Sequence, residues 1–142
     1  MAATSPKPKK NRASLNLNMG IVGFASLIGL TAASALDAHE GIPVVLVLIL
    51  VASLATMFFT RKSDEYTEQL WISGANAAFI MLVLWIFIAP AVAGFVEGYS
   101  AAHEGREADA EPQFDMLYAA GSTFSLYAFF ITFHIKRLTG AF

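Results

Sequence analysis

The chain contains no cysteine. That excludes a disulfide framework, a thiolate metal site and a cysteine nucleophile, and leaves the compartment open. Charge is also scarce. Charged residues make up 14% of the 142 positions, where a soluble domain of this size carries about a quarter. Within the long apolar runs Asp, Glu, Lys and Arg are missing altogether. Ion pathways, proton relays and substrate sites bring ionisable groups into a bundle despite their cost, so this absence counts against a pump or a secondary transporter. Catalytic patterns are missing too: no Walker loop, no G-x-S-x-G, no phosphate- or dinucleotide-binding glycine pattern. The run His103-Glu104-Gly105-Arg106-Glu107 lacks the second His of HExxH, and no Glu-x-x-His of the di-iron kind occurs. The expectation is therefore a protein that is not an enzyme and carries no cofactor.

What is abundant is apolar surface: 56% hydrophobic residues and a mean hydropathy of +0.58. Leu70 to Val96 is the longest uncharged run. As a helix it would extend about 40 Å at ~1.5 Å per residue, enough to cross a hydrocarbon core of roughly 30 Å. Arg61 and Lys62 precede it and the acidic stretch Glu97–Asp115 follows it. Three further apolar segments complete the chain. The fold expected is an all-α membrane protein, a four-helix transmembrane bundle over residues 17–142, with spans at about 17–36, 43–60, 66–98 and 114–137. Residues 1–16 read as a disordered basic tail carrying Lys7, Lys9, Lys10 and Arg12. A topology signal is the plainer account of that tail than nucleic-acid binding.

Charge distribution orients the spans. With four of them, one side receives eight of the nine bases and three of the eleven acids, a balance of +5. The other side receives one base and eight acids, a balance of −7. The positive-inside rule then places both termini in the cytoplasm, in a plasma membrane of the bacterial inner-membrane kind. Segment 17–36 has two readings. Its basic flank and the triplet Ala33-Ser34-Ala35 resemble a cleaved secretory signal. The stripe Ala25, Gly29, Ala33 suits a retained helix packed closely on its neighbours, which is the reading preferred.

Local signals refine the spans. Pro43 suits a first helical turn, Ser63 is expected to cap the third helix with Asp64 and Glu65 in its first turn, and Pro90 is expected to kink it. Asn76 is the most polar residue well inside a span and is expected to bond Thr56 or Thr132 on a neighbouring helix. Gly94 and Gly98 form a GxxxG step beyond Pro90. Phe124, Phe129, Phe130 and Phe133 of the fourth span are expected to face lipid or a partner.

One motif could carry chemistry. Ala38-His39-Glu40-Gly41 recurs as Ala102-His103-Glu104-Gly105, each after an odd-numbered span on the acidic side. An ancient duplication would explain that. Imidazole and carboxylate from His39, Glu40, His103 and Glu104 are suitable ligands for a divalent metal, although ordinary solvated loop residues are the plainer reading. His134, beside Lys136 and Arg137, reads as interfacial rather than as a haem ligand. Together these features favour a small accessory or scaffold subunit, packed in the lipid bilayer against a larger complex or against itself, with no nucleic-acid partner. The alternatives are a small channel or carrier with an acidic outer face, and a metal-binding or sensory protein built on the two His-Glu pairs.

Overall fold

The uncharged runs are rich in leucine and alanine, and only Pro90 interrupts their helical hydrogen bonding. The computed structural model describes residues 12–107 and 115–140 and is helical nearly throughout them, with no strand among the described residues. The elements are α1 (Ala13–Ala35), α2 (Gly41–Thr60), a 3-10 turn at Arg61–Ser63, α3 (Glu65–Glu104) and α4 (Asp115–Thr139). Three helical segments, Ala13–Ala35, Gly41–Ser63 and Glu65–Glu104, are long and apolar enough to cross a membrane. The chain divides into two compact units that part between Trp71 and Ile72.

The first unit is built on an antiparallel pair. Buried Ala13, Asn16, Gly20, Gly23 and Leu27 line α1, with Ser26 and Ala33 also buried, and Leu50, Ser53, Met57 and Thr60 line α2. Alternating steps of three and four keep one seam facing a partner helix, as in a coiled coil. Most of the seam residues are small, which lets the two backbones approach closely. The seam is fastened at one end by the Asn16 amide, which donates to the Met57 carbonyl at 2.8 Å and to the Thr60 hydroxyl at 2.9 Å. Thr60 in turn donates to the Thr56 carbonyl at 2.7 Å. This amide explains why α1 begins at Ala13, four residues before the expected 17. Asn16 reads as tail in sequence, but its polarity is satisfied inside the seam.

The turns are set by specific caps. α1 ends with Asp37 at φ 48°, in the left-handed region, and the Ala38 N–H returns to the Ala33 carbonyl at 2.9 Å. That 6→1 bond is the Schellman arrangement, with Asp in place of the usual glycine. α3 is capped by Asp64, not by the expected Ser63. Asp64 Oδ1 accepts the Thr67 N–H at 2.7 Å, and the Asp64 N–H faces the Thr67 hydroxyl at 3.4 Å. Ser63 instead donates to the Thr60 carbonyl, closing the 3-10 turn. The Asp-x-x-Thr pair does what Ser-x-x-Glu does in a capping box.

The second unit holds most of α3 and all of α4. Here two glycines receive two aromatics reciprocally. A Cβ on Gly74 of α3 would lie 2.9 Å from the Phe129 ring of α4. A Cβ on Gly121 of α4 would lie 3.0 Å from Cγ of Trp85 on α3 and closer still to its Cδ1. The Trp85 indole N–H donates to the Leu117 carbonyl at 2.9 Å, and its ring packs on Phe124 at 4.7 Å. Phe129, Phe130 and Phe133 are buried, which corrects the expectation that they face outward. Ring edges meeting ring faces make Phe129 and Phe130 good partners for each other at 5.1 Å, T-shaped.

Candidate functional site

Helix ends and one uncovered helix face hold the groups available for function. The stretch Glu97–Asp115, expected as a loop, is helical as far as Glu104. Its inward face carries Ala93, Glu97 and Ala101, all buried, one helical turn apart. Gly105 takes φ 69°, and the Arg106 N–H returns to the Ala101 carbonyl at 3.0 Å, a second Schellman turn. That turn folds Arg106 back along the helix. Its guanidinium grips Glu97 with both terminal nitrogens, at 2.5 and 3.2 Å, while Nε donates to Glu104 at 2.7 Å. A forked donor against a carboxylate is the strong geometry for such a pair. The Glu97 bonds, followed by those to Glu104, hold the guanidinium above its ordinary pKa. A buried acid near the end of a long apolar helix is thus neutralised by Arg106, the one base between Lys62 and Lys136.

The two Ala-His-Glu-Gly copies do opposite things. In the first, His39 Nδ1 accepts the Gly41 N–H at 3.2 Å, and the tetrapeptide starts α2. In the second, the tetrapeptide ends α3, with Glu104 bound to Arg106 and the His103 ring lying parallel to Tyr99 at 6.4 Å. Identical residues therefore occupy non-equivalent structural positions, which removes the main support for a duplication. Among the described residues, no three His, Asp or Glu side chains are grouped to hold a metal ion. Beside His39 lies an open hollow of about 490 Å³, lined by Gly41, Ile42, Val45 and Leu46, with walls that offer almost nothing polar.

The residues singled out for helix packing separate into two groups. Ala33 is buried on α1, and a Cβ on Gly29 would touch Leu46 of α2 at 3.4 Å, so both lie on the α1–α2 pair. Ala25 is exposed. Gly94 and Gly98 are exposed, and a Cβ at either would meet nothing within 4 Å. Asn76 is also exposed. Thr56 donates to its own helix, to the Ala52 carbonyl. His134 lies half-buried, edge-on to Phe133 at 5.5 Å.

Several residues that shape these features were not singled out in sequence: Asn16, Gly74, Trp85, Gly121, Glu97 and Arg106. The 3-4 spacing of Ala13, Asn16, Gly20, Gly23 and Leu27 carried the signal for the first. Compared with protein families, curated proteins and solved structures, the chain matches none.

Proposed function

We propose that the protein is a non-catalytic integral membrane subunit that works by presenting helix faces to other membrane helices. The observation that carries this reading is how little of the apolar surface of the three described candidate spans is buried. Of the most apolar window in each candidate span, 28%, 17% and 11% is buried, and the longest helix, α3, is the least covered. Lipid can cover such a face, but α3 interrupts it with Asn76, Gly94 and Gly98, residues typical of helix–helix contacts in membranes.

The same reading makes α4 a fourth span and puts both termini in the cytoplasm of a bacterial-type inner membrane, on the +5 against −7 charge balance. Groups at the α2–α3 turn fit an interface on the basic side. Arg61 lies over the Phe58 ring at 3.7 Å, and Phe58 meets Trp71 edge-on at 5.8 Å. Gly94→Leu tests the reading cleanly, because among the described residues nothing lies within 4 Å of the new side chain's Cβ. Leucine inserts at least as well as glycine. Co-purification of partners, or of a second tagged copy, should fall for Gly94→Leu while membrane insertion is kept. It should be unchanged for the double variant His39→Ala/His103→Ala. Loss of association in the histidine variant alone would move the site to the acidic side and overturn the reading.

A further inference from the structure

The hollow at the start of α2 is walled by residues of the first unit: His39, Gly41, Ile42, Val45 and Leu46. Its volume of about 490 Å³ falls within the range of small-molecule sites, ~300–1,000 Å³. Its chemistry is graded along the helix. His39 lies in the turn, and Ile42 and Val45 follow, both exposed. Leu46 lies five residues beyond Gly41, roughly 7.5 Å along the axis. There its methyl groups stand 3.4 Å from where a Gly29 Cβ would lie on α1. In a spanning α2 the turn is at the headgroup level and Leu46 is in hydrocarbon.

The backbone donors at this helix start are already engaged. The Gly41 N–H donates to His39 Nδ1 at 3.2 Å, and the Ile42 N–H to the His39 carbonyl at 2.8 Å. Pro43 has no N–H to give. The start of α2 therefore offers a phosphate little, unlike an open helix N-terminus. One directed donor remains. With Nδ1 accepting, neutral His39 carries its proton on Nε2. Charge selects in the same direction. Asp37 and Glu40 are exposed in the turn, and no other Asp, Glu, Lys or Arg occurs between Arg12 and Arg61. They attract a cation and repel an anion.

We propose that this hollow binds a phospholipid with an ammonium headgroup, of the phosphatidylethanolamine kind. Asp37 and Glu40 take the ammonium, His39 Nε2–H donates to an ester carbonyl, and one acyl chain lies along Ile42, Val45 and Leu46. Cation, acceptor and hydrocarbon follow one another in that lipid in the order in which acids, donor and apolar wall follow one another here. The site rests on the membrane part of the reading above and asks nothing of protein partners.

The test is native mass spectrometry of the full chain, released from mild detergent. Dioleoyl-phosphatidylethanolamine and dioleoyl-phosphatidylglycerol are added together in equal amounts. Wild type should retain the ethanolamine lipid over the glycerol lipid by about three-fold, the scale of one exposed ion pair. Asp37→Asn/Glu40→Gln should abolish that preference. His39→Asn keeps an acceptor for the Gly41 N–H but removes the Nε2–H, and should lower retention of both lipids. Val45→Trp, which fills the hollow, should do the same. These positions are exposed, so helix content by circular dichroism should hold in every variant. Equal retention of the two lipids by wild type, or a preference that survives the double acid variant, would overturn the proposal. So would a Val45→Trp chain that retains as much lipid as wild type, the result expected if protein covers the hollow instead. Partner co-purification reports separately on the membrane-subunit reading, which stands if partners are kept whichever way the lipid result falls.

Discussion

Gly121→Ala is a small change with a sign that separates packing from helix propensity. In a helix interior alanine is favoured over glycine by about 1 kcal/mol, so propensity alone expects stabilisation. The structure expects the opposite. The added methyl would lie 3.0 Å from Trp85 Cγ and 3.2 Å from its Nε1, so the indole must move. Overpacking of this kind costs about 1–3 kcal/mol. Moving the ring also strains or breaks the indole N–H bond to Leu117, a further ~1 kcal/mol. With the propensity gain subtracted, Gly121→Ala should destabilise by roughly 1–3 kcal/mol. Gly94→Ala is the matched control, since its methyl meets open space, and it should be neutral or slightly stabilising. Thermal unfolding in mild detergent, followed by tryptophan emission, measures both. Trp85→Phe should relieve part of the clash, so the double variant should lose less than the two single losses added. Gly121→Ala as stable as Gly94→Ala would refute the interlocked α3–α4 packing.

Other consequences follow from the same geometry. Asn16→Ala should cost the α1–α2 pair only about 1 kcal/mol, because Asn16 Oδ1 is buried without a partner and its removal offsets part of the two lost bonds. Asn16→Asp, which puts a charge at that buried site and loses both donors, should be far worse, as seen by unfolding in the same detergent. Arg106→Gln should speed hydrogen exchange at the residue-106 amide by removing the forked guanidinium from buried Glu97, and adding Glu97→Gln should restore part of the protection. Because both carboxylates raise the Arg106 pKa, its contribution is fully present below the ordinary arginine value and is lost only above the raised one. Exchange at that amide, corrected for its intrinsic pH dependence, should therefore show no loss of protection short of strong alkali. Reporters after Phe142 and within residues 61–68 should lie in the cytoplasm and one within residues 104–111 outside; a cytoplasmic signal from the last would contradict the four-span topology.

Helices were legible from the sequence because long uncharged runs have few alternatives. Their partners were less so. The expected stripe Ala25, Gly29, Ala33 steps by four throughout, whereas the buried α1 seam alternates three and four and runs through Gly23 and Leu27, leaving Ala25 exposed. The phenylalanines of α4 looked suited to lipid because nothing in a linear pattern shows that Gly74 opens a place for Phe129. Helix ends were hidden for a similar reason. Glu97 reads as the first residue of an acidic loop, and only the left-handed turn at Gly105 shows that Arg106 folds back to neutralise it within the helix. The repeated Ala-His-Glu-Gly was visible at once but misleading, since its backbone context differs between the two copies.

The central claim is that the chain functions as part of an assembly in the membrane. Its native mass, measured after extracting patches of the native membrane into polymer-bounded discs without detergent, tests this most directly. The account predicts a discrete species heavier than one chain, either two copies or the chain with a stoichiometric partner, that shifts toward a lower mass for Asn76→Leu or Gly94→Leu. A single chain alone in its disc, with the same mass in wild type and both variants, would contradict it.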